Sequence, residues 1–153
     1  MSEPEKTYTG QCYCGATKVT VKGEPFAQGY CHCKSCRSFH GAPFMAWSVW
    51  PSDAVSVEGA LRKTDKNPAL ARTTCATCGG KMMGILKEAG FTVVFPNVLA
   101  DSGFTFAPMM HKYYADRVMD VTDGVPKFED GPVELGGSGV TLPETGVSVK
   151  EAV

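Results

Sequence analysis

The sequence has no long apolar run. Its most nearly continuous apolar stretch, Ala42 to Trp50, is interrupted by Pro43 and Ser48. That is far short of the roughly 18 to 20 residues that cross a bilayer as a helix. No segment keeps a helical period of apolar residues. The first residues, Met1-Ser2-Glu3-Pro4-Glu5-Lys6, have no apolar core of the kind a secretory signal carries. Charge of one sign is lacking too: 15 Lys and Arg against 16 Asp and Glu leave a net −1. A dedicated nucleic-acid binder carries a strong basic face instead. The expectations are no nucleic acid, no membrane and a cytoplasmic location. No Gly-rich phosphate loop follows a strand, and neither Gly-x-Ser-x-Gly nor His-Glu-x-x-His occurs.

Cysteine is what the chain does have: seven in 153 residues. Cys12 and Cys14 form a Cys-x-Cys pair, Cys75 and Cys78 a Cys-x-x-Cys pair, and Cys31, Cys33 and Cys36 fall within six residues. Seven is odd, close Cys-x-Cys pairs make strained disulfides, and cytosolic thiols stay reduced. Metal therefore explains the clustering better than a disulfide framework. The set divides into four plus three: one closed tetrahedral site and one site a ligand short.

The four-thiol set reads as structural zinc. In an extended chain residues i and i+2 point the same way, so Cys12 and Cys14 can share one ion. Cys75-Ala76-Thr77-Cys78-Gly79-Gly80 is a knuckle whose glycines let backbone N–H groups turn toward sulfur. Rubredoxin-like iron usually takes two Cys-x-x-Cys pairs, and only one is present. Three thiolates and a vacancy at Cys31, Cys33 and Cys36 match the open pattern of catalytic zinc. Three thiolates leave the ion a weak Lewis acid, so a soft guest such as a substrate thiol suits it better than an activated water. Lys34 and Arg37 are candidates to offset the added charge and to anchor a carboxylate; solvated surface is the plain alternative. Of the three histidines, His32 alternates with its flanking cysteines and points away from the metal. His40 or His111 could instead close the site as Cys3His, which would make it merely structural.

The remaining chain predicts a mainly β fold, with several small coiled antiparallel sheets around zinc knuckles and little helix. Strands are expected at Tyr8 to Cys14, Thr17 to Lys22, Ala27 to Tyr30, Phe44 to Trp50 and Val55 to Gly59. A short helix is expected from Lys34 to His40, ended by Gly41 and Pro43. Lys81 to Leu86 and Phe91 to Phe95 form a hairpin turned at Glu88-Ala89-Gly90. Thr64 to Pro68 is read as loop, and Phe104 to Met110 and Lys112 to Tyr114 as edge strands. One zinc-binding domain is expected over residues 1–130, followed by a tail or surface strap over 131–153. Leu142-Pro143-Glu144-Thr145-Gly146 matches the sortase sorting pentapeptide, but no apolar span and basic residues follow it, so it is read as chance.

Gly10-Gln11-Cys12-Tyr13-Cys14-Gly15, Cys31 to Arg37 with Gly41-Ala42-Pro43-Phe44, and Cys75-Ala76-Thr77-Cys78-Gly79 together resemble the glutathione-dependent formaldehyde-activating enzymes (Gfa), a family that includes centromere protein V. The likeness covers about residues 8–130, with His111 and the Asp123-Gly124-Val125-Pro126 turn falling where the family has similar segments; Gly80 stands where the pattern has Ser. It implies a structural zinc on Cys12, Cys14, Cys75 and Cys78 and a substrate-facing zinc on Cys31, Cys33 and Cys36. The implied activity joins glutathione to formaldehyde, giving S-hydroxymethylglutathione, as a carbon–sulfur lyase. Two other readings stand beside this one. One is a non-catalytic zinc module that carries a thiol or binds a protein partner. The other, a cytoskeletal or chromatin role, is at odds with the absence of a basic arm.

Overall fold

The computed structural model describes residues 3–64 and 66–146. In chain order the elements are β1 (Thr7–Gln11), β2 (Lys18–Lys22), β3 (Ala27–Cys31), α1 (Lys34–His40), β4 (Met45–Pro51), β5 (Val55–Glu58), β6 (Leu61–Thr64), β7 (Ala71–Cys75), β8 (Lys81–Leu86), β9 (Phe91–Val94) and β10 (His111–Lys112). The described fold is mainly β: ten strands, one α-helix and several 3-10 turns. Contacts group the chain into two units. One joins Met1–Ala27 to Trp47–Phe106, and the other joins Gln28–Ala46 to Ala107–Val153.

In the first unit β1, β2 and β5 make one antiparallel sheet, and β4, β9, β8, β7 and β6 pair in that order. β2 shows why its residues make a strand. Val19 and Val21 are fully buried while Lys18 and Lys22 face solvent, the two-residue alternation of a one-sided sheet. These valines pack with Tyr8, Trp50, Met82, Met83, Val94, Val98 and Leu99, and the sulfurs of Cys12 and Cys75 belong to the same core. Two of the four clustered thiols of this unit, Cys12 and Cys75, thus lie in its apolar centre.

The structure departs from the strand expectations at β6 and between residues 104 and 114. β6 is a strand although Leu61-Arg62-Lys63-Thr64 lacks an apolar face; only Leu61 is part-buried. Its order comes from the ladder to β7, from Leu61 opposite Cys75 to Thr64 opposite Arg72. Phe104 to Met110, expected as an edge strand, joins no ladder, and only His111–Lys112 pairs with β3. Pro108 removes one donor there, and the segment meets β3 through Met109 N–H to Gln28 O and Tyr30 N–H to Met110 O, each 2.9 Å. The expected strand at Lys112 to Tyr114 is likewise cut short, because Tyr113 takes a left-handed backbone (φ 52°) and opens a 3-10 turn.

The second unit is organised on the parallel β3–β10 pair, with His111 opposite Tyr30 and Lys112 opposite Cys31. α1 starts where Cys33 caps it: Cys33 is extended (φ −63°, ψ 152°) and its sulfur accepts from Cys36 N at 3.3 Å. The helix ends at Gly41, whose φ of 62° places its N–H on Arg37 O. Beyond residue 130, Glu129 N–H bonds Val140 O, Leu142 N–H bonds Lys127 O, and Phe128 bridges Thr141. Residues 147–153 of the expected tail lie outside the described residues.

Candidate metal centres

Strand β1 stops at Gln11, so Cys12 and Cys14 do not sit on an extended strand as expected. They occupy a turn, closed by Gly15 N–H on Cys12 O at 3.1 Å. The turn brings Cys14 Sγ to 3.6 Å from Cys12 Sγ and to 3.9 Å from Cys75 Sγ. With Cys78, all four sulfurs lie within 4.8 Å of one another. A tetrahedral ion with metal–sulfur bonds of about 2.3 Å needs sulfurs about 3.8 Å apart. The two short sulfur–sulfur distances suit such an ion. The cysteines are free thiols, with no disulfide among them.

Backbone donors surround this set. Thr17 N–H points at Cys12 Sγ (3.3 Å), Thr77 N–H at Cys75 Sγ (3.4 Å) and Gly80 N–H at Cys78 Sγ (3.3 Å). The knuckle turns at Gly79, whose φ of 74° suits glycine. The hydroxyl of Thr17, buried, lies 3.2 Å from Cys75 Sγ. That hydroxyl and the N–H of Cys78 draw the Cys75 thiol down to about 6. Such donors favour thiolate, which a metal requires. The sequence pattern pointed at the cysteines and not at Thr17, because a threonine at this spacing carries no signature of its own.

Cys31, Cys33 and Cys36 come from the end of β3, the cap of α1 and its first turn, respectively. Their sulfurs also lie within 4.8 Å of one another. Cys31 and Cys36 are buried and Cys33 is part-exposed. Hydrogen bonding among the three sulfurs, first with Cys33 and then with Cys36, raises the Cys31 thiol, and burial adds to this. A cation bound there would have to displace the Cys31 proton. Among the described residues no histidine nitrogen or carboxylate joins this group. The Cys3His closure through His40 or His111 is not formed.

His111 is instead fully buried and bonded to His32, with His32 Nε2 2.8 Å from His111 Nδ1. Burial lowers both imidazoles, His32 to about 4. Phe44 stacks on His32 with ring centroids 4.8 Å apart, and Tyr114 meets it edge-on. Arg37, one of the two basic candidates, gives its Nε–H to His32 O at 3.0 Å, and Lys34 is exposed. Tyr113, which the sequence did not single out, is the only non-glycine with positive φ among the described residues. Burial raises its hydroxyl, and the charges of Cys31 and Cys33 raise it further. Three thiol donors, one of them part-exposed, could hold a metal ion here.

No helix among the described residues is long and apolar enough to cross a membrane. Known proteins resemble this chain. An uncharacterized lyase of Schizosaccharomyces pombe is 32% identical over 72 residues, 47% of this chain and 53% of that protein. The matched segment spans about half the length of that curated relative. A crystal structure of a Rhodobacter sphaeroides protein shares the fold, with a TM-score of 0.52 and 20% identity over 62% of this chain and 90% of that one. The family described as glutathione-dependent formaldehyde-activating enzyme matches residues 7–116, a span holding all seven cysteines, and the chain belongs to that family.

Proposed function

We propose that this chain holds two zinc ions and adds a small thiol, glutathione in the first instance, to an aldehyde such as formaldehyde. Cys12, Cys14, Cys75 and Cys78 would bind the structural ion. Cys31, Cys33 and Cys36 would bind the second. The observation that carries this reading is the three-sulfur group with no fourth His, Cys, Asp or Glu donor among the described residues. Zinc there supplies a Lewis acid that favours the thiolate form of a bound thiol at neutral pH. Family membership and a relative named as a lyase support the reaction class.

The chemistry balances without a redox partner. The thiol sulfur forms a bond to the aldehyde carbon, the carbonyl π pair moves to oxygen, and that oxygen gains the thiol's proton. The product is a hydroxymethyl thioether, and the reverse reaction breaks its carbon–sulfur bond, as a lyase does. A fourth sulfur would raise the negative charge at Cys31, Cys33 and Cys36. Lys34 and Arg37 supply compensating charge and anchor a carboxylate of the guest. A chain of seven free thiols suits the reducing cytosol, where we place it.

The test is proton NMR of glutathione and formaldehyde with the zinc-loaded protein. S-hydroxymethylglutathione forming faster than in the protein-free mixture supports the proposal. Formation at the spontaneous rate, with glutathione bound, would make the chain a thiol carrier instead.

A further inference from the structure

One hydrogen-bonded line in the second unit is not used by the thiol chemistry. It starts at His32, between two cysteines of the open cluster, and ends at Glu144. His111 Nε2 lies 2.7 Å from Asp123 Oδ2. Asp123 Oδ1 accepts from Val125 N–H at 3.0 Å and from Lys127 Nζ at 2.8 Å. Lys127, 2% exposed, also donates to Glu144 Oε2 at 2.7 Å. Glu144 Oε2 accepts the N–H groups of Asp123 and Gly124 as well, at 3.1 and 2.9 Å. Asp123, Lys127 and Glu144 lie beyond residue 116, where the family match ends.

The direction of this line is fixed from one end. Asp123 beside an ammonium is ionised, and an ionised carboxylate only accepts. His111 must therefore give Nε2–H to it, which leaves His111 Nδ1 as a lone pair. His32 must then give Nε2–H to His111 across their 2.8 Å contact, and His32 Nδ1 becomes a lone pair too. That nitrogen is buried and has no hydrogen-bond partner among the described residues. The main chain of His32 is held as firmly: its N–H bonds Lys112 O at 3.0 Å, and its carbonyl accepts Arg37 Nε–H.

We propose that Asp123 is a positioning residue of the three-cysteine site: through His111 it fixes the tautomer of His32, and with it the arrangement of Cys31, Cys33 and Arg37. Its consequence for thiol binding rests on the function proposed above; the tautomers themselves do not. Lys127 and Glu144 hold Asp123 in register. The segment after residue 116 thereby takes part in a site whose thiols all precede it.

Asp123→Asn gives a sharp test. The amide oxygen must face Val125 N–H and the Lys127 ammonium, since both are donors. Its NH2 then faces His111, which can accept only through Nε2. Both rings must invert to Nδ1–H. Long-range proton–nitrogen correlation spectra of the zinc-loaded protein read this directly, because only three histidines contribute. We expect Nε2–H on His32 and His111 in the wild type, Nδ1–H on both in Asp123→Asn, and shifted amide signals across residues 31–37. Glutathione affinity should weaken roughly tenfold in the variant, with unchanged zinc content. A wild-type ring in the Nδ1–H form overturns the proposal even if the variant fails to fold. Unchanged tautomers, or inverted rings with undisturbed amides at 31–37, also overturn it. Wild-type protein that ignores glutathione while showing the expected tautomers and amide shifts would refute the thiol reading and leave this one standing.

Discussion

Cys14 Sγ stands 3.9 Å from Cys75 Sγ although 61 positions separate them in the chain. The contact ties the turn after β1 to the end of β7 beside the first unit's core. An ion shared there closes a long loop, so its binding energy is folding energy. Cys75→Ser should lower metal content from two ions to one and lower Tm by roughly 10 °C or more. Cys36→Ser should also leave one ion, but with a smaller change in Tm, because its cluster lies outside that core. Metal analysis and thermal melts of the two variants check this. Retention of both ions, or loss of both in either variant, would contradict the separation of the sites.

Two glycines should respond in different degrees to the same added methyl. A Cβ on Gly10 would lie 1.9 Å from Val98 O, a backbone atom that cannot swing aside. Gly10→Ala should cost about 2 to 4 kcal/mol by forcing β1 away from residues 98–99. Gly41 has φ 62° and open space around it, so Gly41→Ala meets only the left-handed backbone penalty of about 1 kcal/mol. Urea melts of the zinc-loaded proteins give both values.

Lys127 is a buried ammonium between two carboxylates, 2.8 Å from Asp123 and 2.7 Å from Glu144. Removing the cation leaves those acids facing one another without compensation. Lys127→Met should destabilise by roughly 3 to 5 kcal/mol, the usual loss when one partner of a buried pair is deleted. Glu144→Gln keeps the Asp123 contact and should lose much less. Chemical denaturation of both variants decides the order, and equal losses would contradict it.

Much of the fold was legible because its signals are local. The valines of β2 alternate with lysines, the Lys34–His40 helix lies between a cysteine cap and Gly41, and the β8–β9 hairpin turns at Gly90. The two cysteine groups were legible for the same reason: each half-site is a short motif. What stayed hidden depends on partners distant in sequence. β6 is a strand because β7 supplies its ladder, not because its residues alternate. His111 looked like a spare ligand, and only the fold shows its two nitrogens already committed to His32 and Asp123. Asp123 opens a turn that the family resemblance marks, but Lys127 and Glu144 are ordinary charges in the sequence, and three-dimensional proximity alone makes the three a line.

The open three-thiol site is tested most directly by calorimetric titration of the zinc-loaded protein with glutathione and with S-methylglutathione. A guest held through sulfur must lose its thiol proton, and the methylated form has none to lose. We expect one glutathione per chain with proton release in buffers of different ionisation heat, no uptake of S-methylglutathione, and no uptake by Cys36→Ser. Absence of glutathione binding, or equal binding of the methylated form, would contradict a metal position reserved for a thiol.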